Sequence, residues 1–307
     1  MEEQTIQIDD HHIRVTNWNK ILWPESGFTK GDLMEYFLKA APFLLPHLKD
    51  RPLTVVRFPS GIQTKGFYQK NCPQSAPEFV QTVTVSSYPS KPEKAINYIL
   101  VQNTATLLWL ANQAAIELHP WLSLHTKPEH PDWIVFDIDP GTDTDFDDAR
   151  ETAFLVRQIL EELALASFPK VSGATGIHIY VPIAAKYPYA TTSKFVNDIG
   201  KLLESAFPDK ITTERLIKNR HGKVYIDHLQ NLPGKTVAAP YSPRPLPKAT
   251  ISTPISWQEL ETVYPDDFHL GNILERLEHK GHDLFAPLFN KEQLLDTALA
   301  ALGAPVV

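Results

Sequence analysis

The segment Trp133-Ile134-Val135-Phe136-Asp137-Ile138-Asp139-Pro140-Gly141 constrains the chain more than any other. Its apolar run predicts a buried strand over 133–138, and Pro140-Gly141 stop it. Alternation places Ile134, Phe136 and Ile138 on one face and Val135, Asp137 and Asp139 on the other. The two carboxylates then stand about 7 Å apart at the C-terminal end of the strand. Like charges at that spacing repel unless a cation lies between them, and a divalent metal supplies one. The plainer reading is a pair of capping aspartates ahead of the turn.

A second segment bears on the choice. In Val224-Tyr225-Ile226-Asp227 the same alternation turns Tyr225 and Asp227 to one face. If this strand neighbours the first, three aspartates converge on one surface. Three carboxylates suit hard Mg²⁺ or Mn²⁺, and two such ions are the usual apparatus of nucleotidyl transfer. An exposed aspartate at a strand end is the alternative. Between the two strands, Ser172-Gly173-Ala174-Thr175-Gly176-Ile177-His178 forms a small-residue turn entering a strand. Glycines let backbone N–H groups approach an anion, Ser172 adds a hydroxyl, and His178 shares a face with Tyr180. Beside the aspartates the turn reads as a triphosphate cradle, and it lacks the Gly-Lys-Ser/Thr ending of a P-loop.

The rest of the chain interleaves strands and helices without a βαβ rhythm. The patterns predict a hairpin over 5–15, a helix opened by Thr29-Lys30-Gly31-Asp32 and apolar from Leu33 to Leu45, and a helix over 104–118. A helix carrying Phe146, Ala149, Ala153, Val156, Leu160 and Leu163 follows, with Asp145, Asp147 and Asp148 at its positive end. Further on come a strand at 177–182, a helix at 193–206, a strand at 223–227, a proline-rich extended loop over 240–254, and two helices packed as a C-terminal cap. The expected fold is α+β with a central, mostly antiparallel sheet.

Apolar residues at 43% and charged residues at 21% exclude a disordered or fibrous chain. The absence of a long uncharged apolar run, the acidic start and the single Cys72 predict a cytoplasmic protein in a reducing compartment, with no membrane association. The net charge of −7 conceals a division: residues 11–100 carry eleven basic against six acidic side chains, and residues 208–248 eight against three. Two basic segments in an acidic chain can build one local anion-binding face.

The motifs VFDIDPG (135–141), SGATGIHIYVP (172–182), KNRHGKVYIDHLQN (218–231), TVAAPYSPRP (236–245) and TPISW (253–257) together resemble the polymerase domain of bacterial ligase D, in the archaeo-eukaryotic primase superfamily. TNWNKILWPESGFTKGDLMEYF (16–37), RPLTVVRFPSG (51–61), GFYQKN (66–71) and LLWLANQAAIELHPWLS (107–123) extend the likeness over roughly residues 14–300. The resemblance implies an RRM-like catalytic core flanked by helices, within a single primase-polymerase domain over 1–307. Residues 1–100 would form an N-terminal DNA-end-binding subdomain and 100–307 the catalytic core. The length leaves no room for a ligase or nuclease domain, so a polymerase domain standing alone is expected.

The resemblance also implies roles. Asp137, Asp139 and Asp227 match the metal-binding, catalytic aspartates, holding two Mn²⁺ or Mg²⁺ ions. Ser172, His178, His119, Arg220, Gln230 and Arg244 match nucleotide-binding positions. Asn17, Lys20 and Lys30 match the site for a 5′-phosphate, while Phe67 and Tyr68 match aromatic residues that stack on template bases. Lysines neutralise a terminal phosphate, and aromatic faces hold an unstacked base without sequence preference. The implied activity is template-dependent nucleotidyl transfer at DNA gaps, overhangs and double-strand breaks in non-homologous end joining. Ribo- and deoxynucleoside triphosphates would be substrates, and the Ku end-binding protein and a DNA ligase would be partners. One position departs: the family often carries a lysine where this chain has Thr175, leaving Lys218, Arg220 or Lys223 to supply charge there. The alternatives are a non-catalytic end-bridging module with idle aspartates, and a metal-dependent glycosyltransferase using Asp-x-Asp. The latter gives Lys20, Lys30, Phe67 and Tyr68 no role.

Overall fold

The structure is a computed structural model that describes residues 3–8, 10–86 and 95–303. The chain divides into two compact units. The first comprises residues up to Trp121 together with Thr236–Thr253 and Asp266–His282; the second comprises Leu122–Lys235, Pro254–Pro265 and the residues from Asp283 onward.

In the first unit, β1 (Glu3–Ile8) and β2 (His11–Thr16) form the expected antiparallel hairpin, with Ile6 opposite Ile13. Asp9, part of that motif, lies outside the described residues. The short pair β3 (Ile21–Trp23) and β4 (Phe28–Thr29) leads into α1 (Lys30–Leu48). The helix starts where its sequence predicts, because Thr29 and Asp32 cap it reciprocally: the Thr29 hydroxyl accepts from the Asp32 amide and the Asp32 carboxylate accepts from the Thr29 amide. Its buried face of Leu33, Phe37, Ala40, Ala41 and Leu44 carries it through Pro42 and Pro46. A second sheet joins β5 (Leu53–Arg57), β6 (Phe67–Gln69), β7 (Gln81–Ser86) and β8 (Ala95–Leu100), all antiparallel.

The helix expected over 104–118 is shorter than its sequence suggests. It stops as α2 (Thr104–Asn112), the backbone turns through Ala114 at φ 54°, and Ala115–Pro120 becomes β9, antiparallel to β5. The stretch is apolar on nearly every side, so periodicity alone does not separate helix from strand. Pairing decides the matter, since β9 satisfies the backbone groups along one side of β5.

The second unit is built on a five-stranded sheet. Its strands are β10 (Trp133–Asp139), β11 (Phe168–Val171), β12 (Ile177–Pro182), β13 (Ile211–Thr212) and β14 (Val224–Asp227), in the order β11-β12-β10-β14-β13. Every pairing is antiparallel except β13 with β14. Its longest helices are α3 (Phe146–Glu162), capped by Asp145, and α4 (Tyr189–Ala206), which begins four residues before the expected start. Mixed α+β architecture around a mostly antiparallel sheet is therefore what the sequence predicts and what the chain adopts.

The C-terminal region departs from expectation. Its two α-helices, α5 (Ile273–Lys280) and α6 (Asp296–Ala301), do not form one cap: α5 belongs to the first unit and α6 to the second. Helical periodicity reports an apolar face but not the surface that receives it. Among the described residues, no helix is long and apolar enough to cross a membrane.

Candidate active site

Strand β10 is central in its sheet, and its register sets the geometry. Asp137 stands opposite His178 on β12 and opposite Asp227 on β14, while His178 stands opposite Lys170 on β11. Residues directly paired across antiparallel strands share a face. Lys170, His178, Asp137 and Asp227 therefore form one row across four strands, with Asp139 two residues along β10 on the same face. Asp137, His178 and Lys170 are buried, and His178 Nε2 lies 3.1 Å from Asp137 Oδ1. The conditional raised by the sequence, that the two aspartate strands are neighbours, is met.

The turn at 172–176 abuts the end of β10. The Ser172 hydroxyl accepts from the amides of Ala174 and Gly176, and the Ser172 amide donates to the Gly176 carbonyl, closing the loop on itself. Gly173 adopts φ 75°, and Thr175 is exposed at the tip. Gly176 is demanded by space: a Cβ there would lie 2.4 Å from the Ile138 carbonyl oxygen and 3.0 Å from Asp139 Oδ1. Because the nearest obstacle is backbone, Gly176→Ala is expected to push the turn off β10, lowering stability by roughly 1–3 kcal/mol. Thermal melting of the variant beside wild type checks this, and an unchanged melting temperature would contradict the packing.

Asp227 is held by its own segment. Oδ1 accepts from the Tyr225 hydroxyl at 3.0 Å and the Leu229 amide at 2.8 Å, and Oδ2 accepts from Gln230 Nε2 at 3.1 Å. Burial, then the Asp227 charge, pushes the Tyr225 phenol well above its ordinary range. Arg220 lays its guanidinium 3.8 Å from the Tyr225 ring centre and donates to the carbonyls of Glu214 and Arg215, so it braces the basic loop against β14. Among the described residues no three acidic or imidazole side chains already converge on one ion position. The donor set nevertheless fits a hard divalent ion: it is all oxygen, aligned by register, and the missing Cβ of Gly176 keeps the space beside Asp139 open.

The other expected residues lie in the first unit. Asn17, Lys20 and Lys30 line a cavity of about 270 Å³, together with Thr16, Arg57 and Gln113. Asn17 sits at φ 51°, a conformation asparagine tolerates. The Lys30 ammonium donates to Thr16 Oγ1 and to the Asn112 carbonyl and side-chain oxygens, at 3.3, 3.2 and 2.9 Å. Burial, aided by the Lys20 charge, lowers its pKa to about 8. On β6, Phe67 and Tyr68 are 45% and 69% exposed, far more than most large aromatics of the chain. The Arg57 guanidinium lies 5.4 Å from the Phe67 ring centre and binds Gln113 and Gln69. Arg244 is ion-paired to buried Glu117 at 2.8 Å, and His119 Nε2 lies 3.5 Å from the same carboxylate. The expected nucleotide set is thus divided, with Ser172, His178, Arg220 and Gln230 in one unit and His119 and Arg244 in the other.

Comparison with known proteins bears directly on this arrangement. Residues 29–285 match the family model described as LigD, primase-polymerase domain. The chain belongs to the LigD primase-polymerase family. It is 36% identical over 276 residues to the bifunctional non-homologous end joining protein LigD of Bacillus subtilis, covering 89% of this chain and 44% of that protein. It is 32% identical over 278 residues to the multifunctional LigD of Mycolicibacterium smegmatis, covering 90% and 36%. The chain thus spans less than half the length of these relatives. The polymerase domain of Mycobacterium tuberculosis ligase D, solved in complex with DNA, superposes with a TM-score of 0.83 at 30% identity, covering 92% of this chain and 99% of that one. Membership makes the chain a nucleotidyltransferase of the polymerase type and removes the glycosyltransferase alternative.

Within a LigD primase-polymerase frame, four residues escaped the sequence reading. Lys170 carries a charge in the otherwise apolar Phe168-Pro169-Lys170-Val171, two residues before Ser172, and that misfit is its only signal. Arg57 ends an apolar strand in the same way. Glu117 was hidden by the helical reading of 104–118. Asn231, whose side chain binds both backbone groups of Val135, ends a single 3₁₀ turn (His228–Asn231) too short to show a periodicity.

Proposed function

We propose that this chain fills gaps and extends broken DNA ends that present a 5′-phosphate, taking nucleoside triphosphates under template direction in DNA break repair. The observation that carries the proposal is the register of β10: Asp137 directly opposite Asp227, with His178 at 3.1 Å. The likeness to a polymerase domain solved with DNA supports it, as do the end-joining relatives.

In this reading Asp137, Asp139 and Asp227 hold two Mn²⁺ or Mg²⁺ ions, which when bound acidify the attacking 3′-hydroxyl and neutralise charge on the phosphates. His178 orients the Asp137 carboxylate and meets the nucleotide with Ser172, Gln230 and Arg220. His119 and Arg244 take the remaining nucleotide-binding roles. Asn17, Lys20 and Lys30 take the downstream 5′-phosphate by charge-assisted hydrogen bonds. Phe67 and Tyr68 stack on the template base that the gap leaves unpaired. Ku and a DNA ligase are the partners this role expects.

Extension of a labelled primer across a short gap, with the downstream strand ending in 5′-phosphate or 5′-hydroxyl, tests the proposal. Mn²⁺-dependent extension that is stronger with the phosphate supports it, and equal binding and extension on both substrates overturns the phosphate assignment. The pH dependence is specific. Lys30 holds its proton below about 8, so the phosphate-dependent share of affinity falls as pH rises through that value. Because the folded pKa is depressed from 10.5, loss of the proton between about 8 and 10.5 favours the folded state. Weaker binding in that window therefore does not come from unfolding through Lys30. Fluorescence anisotropy at pH 7 and pH 9 reads the effect, and Lys30→Arg, which stays charged, should flatten it.

A further inference from the structure

Beside His119 and Arg244 sits a carboxylate with no assigned task. Glu117 and His119 are alternate residues of β9 and share a face, standing opposite Val56 and Thr54 of β5. One Glu117 oxygen, Oε1, lies 2.8 Å from Arg244 Nε, and the other, Oε2, lies 3.5 Å from His119 Nε2. The three side chains are only 8%, 19% and 10% exposed for Glu117, Arg244 and His119. Burial pushes the Glu117 carboxyl up, but His119 and Arg244 outweigh it and keep it below the usual carboxylate range. The group is therefore an anion at neutral pH.

The backbone around this cluster is already fixed by other bonds. The Arg244 amide donates to the Thr250 carbonyl, and the Arg244 carbonyl accepts from Trp23 Nε1. The Leu118 amide donates to Ser242 Oγ, and the Ala239 amide donates to the Leu118 carbonyl. What these bonds leave undetermined is the direction of two long side chains. The Tyr68 ring, 6.3 Å from the His119 ring, adjoins the same cluster. An anion beside a triphosphate site opposes binding by its charge, so a contribution by attraction is excluded. The 2.8 Å contact of Arg244 Nε with Glu117 restrains where the guanidinium can sit.

We propose that Glu117 is a positioning residue for nucleotidyl transfer, aiming the Arg244 guanidinium and the His119 imidazole at the nucleotide. The proposal rests on the reading that Arg244 and His119 meet that nucleotide. Its signature is a split between kinetic constants. Glu117→Gln keeps the volume and removes the anion, so the nucleotide is attracted no less, while the two side chains lose their alignment. A loss of kcat by roughly 10–100-fold, the scale of an ångström of misplacement, is expected with nucleotide KM unchanged or lower.

The test is a double-mutant cycle of Glu117→Gln and Arg244→Gln in single-turnover extension over a range of nucleotide concentrations, with melting temperature as the control for folding. If Glu117 acts through Arg244, Glu117→Gln slows the Arg244→Gln background less than the wild-type background, by only the share that runs through His119. Equal effects in both backgrounds, or a rise in KM without a fall in kcat, would overturn the proposal. If Arg244→Gln itself leaves kcat and KM unchanged, the nucleotide role of Arg244 is what fails, and the two failures are told apart. Should Glu117→Gln not fold, Glu117→Asp keeps the charge at shorter reach, and the same fall in kcat at constant KM is required of it.

Discussion

Asp137→Asn is expected to abolish primer extension, by at least about 10³-fold, while affinity for a 5′-phosphorylated gap stays within about twofold of wild type. The substitution is isosteric, so the packing of a buried side chain at the centre of the sheet is kept. What disappears is one negative charge between His178 and Asp227, the charge on which the proposed binding of divalent ions depends. Without it the attacking hydroxyl is not acidified and the charge developing on the phosphates is not balanced. The proposed binding at the gap rests on Lys20 and Lys30 in the first unit, and these are untouched. Gel-resolved extension beside anisotropy measurements checks both halves, and substantial extension by the variant would remove Asp137 from the catalytic assignment.

The largest expected loss of stability comes from Asn231→Ala. Strand β14 has four residues and covers β10 only from Asp137 to Asp139. Beyond that point the Asn231 side chain takes the place of a strand: its Oδ1 accepts from the Val135 amide at 3.0 Å and its Nδ2 donates to the Val135 carbonyl at 2.7 Å. Asn231 itself is fully buried. Alanine would leave a buried donor and a buried acceptor unsatisfied, each worth about 1–3 kcal/mol. A combined loss of roughly 2–5 kcal/mol is expected on that basis. Urea denaturation should show a lower midpoint at constant slope. A shift below about 0.5 kcal/mol, the range of ordinary surface changes, would show that Val135 finds other partners.

These two residues also mark how far the sequence could be read. Strand β12 falls at 177–182 as its pattern predicts, and β10 runs one residue past its expected end. Period-two alternation gives the faces of Asp137, Asp139, His178 and Asp227 directly, so the row across the sheet follows once the strands are neighbours. Helices α1 and α3 are legible because their first turns carry reciprocal caps at Thr29 and Asp145. The failure at 104–118 has a physical cause: the break falls at Ala114, which adopts a left-handed backbone without being a glycine. That misreading hid Glu117, since helical spacing separates it from His119 while strand spacing sets them on one face. Lys170 is buried by contacts far along the chain, where Pro254 bridges to it and the Ile255 amide donates to the Pro169 carbonyl. Asn231 works through a pairing ninety-six residues away in sequence, which no local window contains.

Template direction is the central claim, and one measurement addresses it most directly. The unmodified protein is given a gapped duplex with a downstream 5′-phosphate, Mn²⁺ and each nucleoside triphosphate in turn, and the templating base in the gap is changed through all four identities. The account predicts that the favoured nucleotide follows the templating base by Watson–Crick pairing and that extension vanishes in Asp137→Asn. Extension indifferent to the templating base, or no extension on any of the four substrates, would contradict it.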